Sequence, residues 1–159
     1  MRPLIEPSVE QVLEFCSRDP IERVFLEDVA RRGFGRFLGV DGDDGNLVSL
    51  CHVGANLVPS GLRCGAFADA ASTGVSKMII GEERAVAELW AAAAPLLPEP
   101  RADRPRQPVY AIAELPDAGE TGLRQATLDD LELLMPACAA SHEGELGVDP
   151  LKRDLEGFR

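Results

Sequence analysis

Four prolines fall between Pro98 and Pro108. They exclude a helix interior and a central strand from that stretch, because each lacks a backbone donor and clashes with a preceding turn. The stretch reads as an extended surface connection. Regular structure must therefore be assembled before it and after it.

The upstream part alternates between two periodicities. Ser8 with Gln11 forms a capping box, and Val9, Val12, Leu13 and Cys16 recur on one helix face. Asp19-Pro20 suits a second helix start, with Ile21, Val24, Phe25 and Val29 as its buried stripe and Arg31-Arg32-Gly33 as its end. Phe37–Val40 and Leu47–Val53 read as strands flanking a hairpin loop at 41–46. A strand is expected near Ala66-Phe67-Ala68, after a turn at Pro59-Ser60-Gly61, then a short helix over Asp69–Thr73 and a short buried strand over Lys77–Ile80. Glu82 and Glu83 sit in the first turn of the strongest helix, where the helix dipole favours them. Val86, Leu89, Trp90, Ala93 and Leu97 form its apolar face, and Pro95 ends it. Val109–Ala113 is a final strand. The order implies an α/β fold, a mixed sheet flanked by helices.

Past a linker at 115–120, Leu123-Arg124-Gln125-Ala126-Thr127-Leu128-Asp129-Asp130-Leu131 reads as a short strand feeding a capped helix. Leu128, Leu131, Met135 and Cys138 share a face, and Pro136 argues against a long uninterrupted helix. The opening of the chain resembles this segment: Leu4, Ser8, Val12 and Phe15 align with Leu123, Thr127, Leu131 and Leu134. Asp19-Pro20 is echoed by Asp149-Pro150.

Charge and cysteine content narrow the function. The net charge of −11 argues against nucleic acid, which needs a basic footprint, and against an acidic membrane surface. No apolar run approaches a bilayer span and the amino terminus lacks a signal sequence, so a cytoplasmic location is expected. Cys16, Cys51, Cys64 and Cys138 form no CxxC pair and read as buried, reduced thiols. With only His52 and His142 beside them, no metal site is expected. The acidic hairpin loop does not fit a calcium loop, since Gly45, Asn46 and His52 stand where ligands or the loop glycine belong.

Three stretches carry a family resemblance: Asp19-Pro20-Ile21-Glu22-Arg23-Val24-Phe25-Leu26, His52-Val53-Gly54-Ala55-Asn56-Leu57-Val58-Pro59 and Ile80-Gly81-Glu82-Glu83-Arg84-Ala85-Val86. Residues 1–114 resemble the DUF4081 domain, a GNAT-like module that precedes an ordinary GNAT acetyltransferase domain in bacterial proteins. Leu123-Arg124-x-Ala126-Thr127-x-x-Asp130-Leu131 resembles the opening of such a domain. The resemblance implies a GNAT-like first domain over 1–114, a linker over 115–120, and an incomplete second GNAT domain over 121–159. It implies acetyl-CoA or another acyl-CoA as cofactor of the full protein, and a small-molecule or peptide amine as acceptor. The second domain is the partner in cis.

The chemistry of that family is harder to find. GNAT enzymes hold the cofactor pyrophosphate on backbone amides at a strand-to-helix turn, with the signature Gln/Arg-x-x-Gly-x-Gly/Ala. Arg36-Phe37-Leu38-Gly39 matches half of it, and Asp41 breaks it. Gly33-x-Gly35 joins a helix to a strand, the wrong order for a dinucleotide loop. By element order the turn falls near Phe67–Ala71, where Asp69 has the wrong sign for phosphate and reads as a helix cap. Tyr110 lies off the helix that carries the family's acid, Glu82 and Glu83 read as solvated helix-terminal residues, and His52 as a hydrogen-bonded one. Asn56, Gly81 and Arg84 are the candidate cofactor contacts: one follows a strand, one opens a helix, and one offers a fork of donors. Glu143 lies where the resemblance places acceptor contacts. The first domain is therefore expected to be non-catalytic, with a ligand-binding or regulatory module as the alternative.

Overall fold

The computed structural model describes residues 3–73, 76–114, 119 and 122–158. The chain divides into two compact units, Met1–Ala113 and Glu114–Arg159. The expected linker lies outside the described residues apart from Gly119.

The first unit is a mixed α/β structure in three layers. Strands β1 (Arg36–Asp41), β2 (Leu47–Val53) and β3 (Leu57–Gly61) form an antiparallel meander in the order β1-β2-β3. Ile5 pairs antiparallel with Gly39 on the β1 side, and Ile79 pairs parallel with Leu57 on the β3 side. Because side chains alternate across a strand, the two faces carry different cores. Leu47, Leu50 and Val58 pack with Val12, Phe15, Cys16, Leu26 and Ala30 of helices α1 (Val9–Ser17) and α2 (Val24–Arg31). Leu38, Val40, Cys51 and Leu57 pack with Phe67, Ala71, Ala85 and Leu89 on the opposite face. There lie a 3-10 turn at Cys64–Phe67 and helices α3 (Ala68–Thr73) and α4 (Glu83–Ala93).

Local chemistry accounts for most boundaries. The Ser8–Gln11 capping box forms in both directions. The hairpin loop closes on Asp44, whose carboxylate accepts from the Asn46 backbone N–H at 3.1 Å and from its side-chain amide at 2.8 Å. α4 ends at Ala93, one 3-10 turn covering Ala94–Leu96 follows, and Trp90 is half-buried on its face.

Several expectations are corrected. α2 begins at Val24, not at Asp19-Pro20. Asp19 closes a preceding turn instead, accepting the Glu22 N–H at 3.4 Å. That delay moves the buried stripe to Leu26, Val29 and Ala30 and leaves Ile21, Val24 and Phe25 exposed. Pro59-Ser60-Gly61 is not a turn but the body of β3, while Ala66-Phe67 belongs to a 3-10 turn rather than a strand. Pro59 is tolerated because β3 lacks a regular strand neighbour beyond Leu57. Lys77–Ile80 contributes a single bridge, with Met78 and Ile80 exposed. Val109–Ala113 forms no strand.

The second unit is helical. Thr127 caps through a box with Asp130, and the 3-10 turn Leu128–Asp130 leads into α5 (Leu131–Leu146). Arg124 reinforces that cap with a two-pronged pair to Asp130, at 2.7 and 2.5 Å. No strand precedes it among the described residues. α5 continues through Pro136, contrary to expectation, and Leu131, Met135 and Ala139 form its less exposed side. Leu128 leaves that face at 88% exposure because the 3-10 turn advances three residues per turn and shifts the phase. Cys138 is exposed as well. Asp149 caps α6 (Pro150–Arg153) by accepting the Leu151 N–H at 3.0 Å, and α7 (Leu155–Phe158) follows.

Leu89 tests the packing of α4, since it is fully buried in the core beneath β3. Leu89→Ala is expected to cost about 2–5 kcal/mol. Urea unfolding should show this as a lower midpoint at unchanged slope.

Candidate functional site

The outer edge of β3 leads through a strand-to-helix turn into α3. Four consecutive devices line that edge. Lys77–Ile80 comes first: the Leu57 N–H donates to the Met78 carbonyl at 2.9 Å and the Ile80 N–H to the Leu57 carbonyl at 3.0 Å. Gly81 comes next. Its backbone lies so close to Pro59 that an added Cβ would sit 2.6 Å from the Pro59 oxygen, so only glycine fits.

Glu82 is the third device. Its Oε2 accepts the Gly61 N–H at 3.3 Å, and its Oε1 accepts the Ser60 hydroxyl. Arg23 donates from Nε to Ser60 Oγ at 3.0 Å and lies 3.5 Å from Glu82 Oε1. The same guanidinium donates from Nη1 to the Phe15 carbonyl at 2.8 Å and stacks 4.0 Å above the Phe15 ring. Planar geometry and several donors let one arginine tie the ends of α1, α2, β3 and α4 together. The fourth device is Glu88, whose Oε2 accepts the Cys64 N–H at 2.9 Å.

An anion site at such a turn works by aiming free amides at the ligand. Here the Gly61, Leu62, Cys64 and Ala66 amides all have acceptors within the chain: Glu82, the Val48 carbonyl, Glu88 and the Arg63 carbonyl. Two of those acceptors are carboxylates.

The candidate contacts do not converge. Gly81 abuts Pro59 and Arg84 pairs with Glu88 at 3.8 Å, both toward the end of β3. Asn56 lies at the other end, in the β2–β3 connection, where its carbonyl accepts the Gly54 N–H at 3.2 Å. Glu143 is on α5 in the second unit, exposed. Asp69 is exposed within the first turn of α3 rather than at its cap, and Phe67–Ala71 spans the end of the 3-10 turn and the start of α3. Glu83 is exposed, and Tyr110 is 87% exposed. The staple formed by Arg23, Ser60 and Glu82 escaped the sequence reading, since nothing in residue spacing links positions 23, 60 and 82.

Two other groups have chemical potential. Cys16, Cys51 and Cys64 are buried, and burial pushes their thiols up to about 11, 12 and 12. They are inert as nucleophiles near neutral pH. Cys138 is the exposed exception to the expected burial. His52 is 6% exposed between the rings of Phe25 and Phe37, and its Nε2–H donates to the Phe34 carbonyl at 3.2 Å. A Cβ at Gly35 would overlap its ring, and one at Gly54 would lie 2.7 Å from it. Those two glycines therefore make room for the histidine, which explains Gly35 without a ligand, while Gly33 takes a left-handed conformation just past α2. Burial lowers the His52 pKa, and no charged group offsets that.

One shallow groove measures about 230 Å³ and lies between Glu6, Val9, Phe34, Arg36 and Phe37. Another, about 160 Å³, lies in the second unit near His142 and Pro150. Both are smaller than sites that enclose a drug-sized ligand, about 300–1,000 Å³. Among the described residues no three histidine, cysteine or carboxylate side chains are placed to hold a metal, and no helix is long and apolar enough to cross a membrane.

A family model described as a domain of unknown function (DUF4081) matches residues 35–134. The match omits α1 and α2 and continues past the proline-rich stretch into α5, a different span from the expected 1–114. No curated protein and no solved structure matches the chain significantly.

Thiol exposure is directly measurable. An aromatic disulfide reagent should titrate one thiol in the native chain, lost in Cys138→Ser, and all four after unfolding. Rapid titration of further thiols in the native state contradicts the buried assignment. His52 gives a pH signature. Its folded pKa lies below the unfolded value of about 6.5, so its contribution is full above that pH. It is lost as pH falls from about 6.5 toward the lower folded pKa, where the unfolded chain binds the extra proton. Urea midpoints should drop in that window, and His52→Gln should flatten the drop.

Proposed function

The chain belongs to the DUF4081 family, and on that premise we propose that it is part of a GNAT-type N-acyltransferase in which the first unit is a non-catalytic, GNAT-like module. In this reading the protein's acyl transfer from acyl-CoA to an amine is performed outside that unit, and residues 121–159 open the second, catalytic domain. The element order supports the likeness: an edge pairing at Ile5, two helices, an antiparallel meander, a helix, a parallel pairing at Ile79, then α4.

One observation carries the non-catalytic part. At the strand-to-helix turn, the kind of place where GNAT enzymes hold pyrophosphate, Glu82 and Glu88 take the Gly61 and Cys64 amides. Bringing in a pyrophosphate requires breaking these charge-assisted bonds and placing like charges together, and both effects oppose binding. A catalytic role is equally unsupported by the side chains, since the buried thiols are protonated and Tyr110 points to no enclosed site. The same sealed turn is compatible with a module whose work is protein interaction.

Calorimetric titration with acetyl-CoA tests the proposal. The chain is expected to show no saturable binding, which places Kd above about 1 mM. A micromolar Kd overturns the non-catalytic assignment and makes Arg84 and Gly81 the first contacts to vary.

A further inference from the structure

His52 lies on β2 between its register partners, Phe37 on β1 and Val58 on β3. Phe25 of α2 meets its ring edge-on at 6.0 Å, and the backbone at Gly35 and at Gly54 closes on it from the two connections. Each of these neighbours is uncharged, and no charged group contributes to the ring's affinity for a proton. The Nε2–H donates to the Phe34 carbonyl at 3.2 Å, while Nδ1 is buried and has no partner among the described residues.

That enclosure suits the neutral ring. Protonation places an N–H on Nδ1 where nothing accepts it and a charge where water is excluded. The Phe34 carbonyl favours the charged ring, but desolvation is the larger effect and wins. The conflict is relieved where the enclosure is weakest. Phe37 and Val58 are fixed in the sheet, and α2 is tied at its start by Arg23. The link Gly33-Phe34-Gly35 is held less firmly. Gly33 and Gly35 have φ of 68° and 67°, and Phe34 between them is 60% exposed. The Gly33 and Phe34 amides bond back to the Ala30 and Val29 carbonyls, so the freedom lies beyond them, at the Phe34–Gly35 peptide. Glycine tolerates either sign of φ, which lets that peptide turn. The groove of about 230 Å³ runs along this link, between Val9, Ala30 and Phe37.

We propose that His52 and the Phe34–Gly35 peptide form a proton-sensitive latch: when the ring gains its second N–H, the peptide swings off it about Gly35, water reaches the ring, and the adjoining groove opens toward Phe37. At neutral pH the latch is shut. As pH falls below about 6.5, where an exposed histidine takes up its proton, the open form gains on the closed one. The gain ends once the closed ring is itself protonated.

The experiment is a titration of the full chain from about pH 7.5 to about pH 5, followed by NMR. The Phe34, Gly35 and Phe37 amide signals should shift with the midpoint of the His52 ring, while those of α4 stay in place and helical circular dichroism is unchanged. A dye that fluoresces on apolar surfaces should brighten severalfold across the same midpoint. His52→Gln, which keeps a donor for the Phe34 carbonyl and cannot titrate, should abolish both changes. Phe25→Ala leaves the latch peptide intact and admits water to the ring, so His52 should titrate nearer to about 6.5. The inference is overturned if the ring titrates without moving those amides, or if helical signal is lost at the same midpoint. It is equally overturned if His52→Gln keeps the transition, or if Phe25→Ala leaves the ring's titration where it was.

Discussion

The outer edge of β3 is the constraint on which the first unit turns. A sheet edge exposes backbone groups that must find partners, and a short strand containing Pro59 cannot recruit a full neighbour. The chain satisfies it piecemeal: one parallel bridge at Leu57, a glycine pressed on Pro59, and two carboxylates on the amides beyond. Arg23 secures this arrangement from the opposite layer, since it reaches Ser60 and Glu82 while resting on Phe15. With side-chain exposures of 13% and 23%, the Arg23–Glu82 pair is partly shielded from water, unlike the i,i+4 pairs Arg31–Glu27 and Arg32–Asp28 on α2. Removing one partner would leave the other poorly solvated, so the pair specifies how the layers register more than it adds net stability.

That seal also decides what the fold can do. The same backbone geometry can serve as an anion cradle or as a closed junction, and the difference lies in side chains from α4. Glu82 and Glu88 project onto amides that a ligand would need. On the sheet's other face the buried groups are equally committed to structure. His52 donates to Phe34, with Gly35 and Gly54 clearing its ring.

Legibility in the sequence followed the range of the interactions. The Ser8 box, the hairpin around 41–46, α4 and the Asp149-Pro150 start were readable because neighbours within a few residues decide them. The start of α2 was misread because a capping aspartate and proline also make a good turn, and burial of Leu26 rather than Ile21 selected between them. β3 was misread because Pro59-Ser60-Gly61 carries turn composition, whereas pairing with Ser49–Cys51 makes it a strand. The candidate site fared worst. Asn56, Gly81 and Arg84 were chosen by local role, and only long-range pairing shows that β3 separates the first from the others. No periodicity joins Arg23 to Ser60 and Glu82.

The segment 109–113 shows where local and global preferences part. Its alternation favours a strand, yet a strand needs an edge, and the proline-rich stretch before it limits how it can fold back. An edge of matching length and apolar character exists at Lys77–Ile80, with the Ile79 backbone groups turned outward. The family match, residues 35–134, spans both segments. The β3 edge itself is held from within by Glu82 and Glu88, which accept the Gly61 and Cys64 amides.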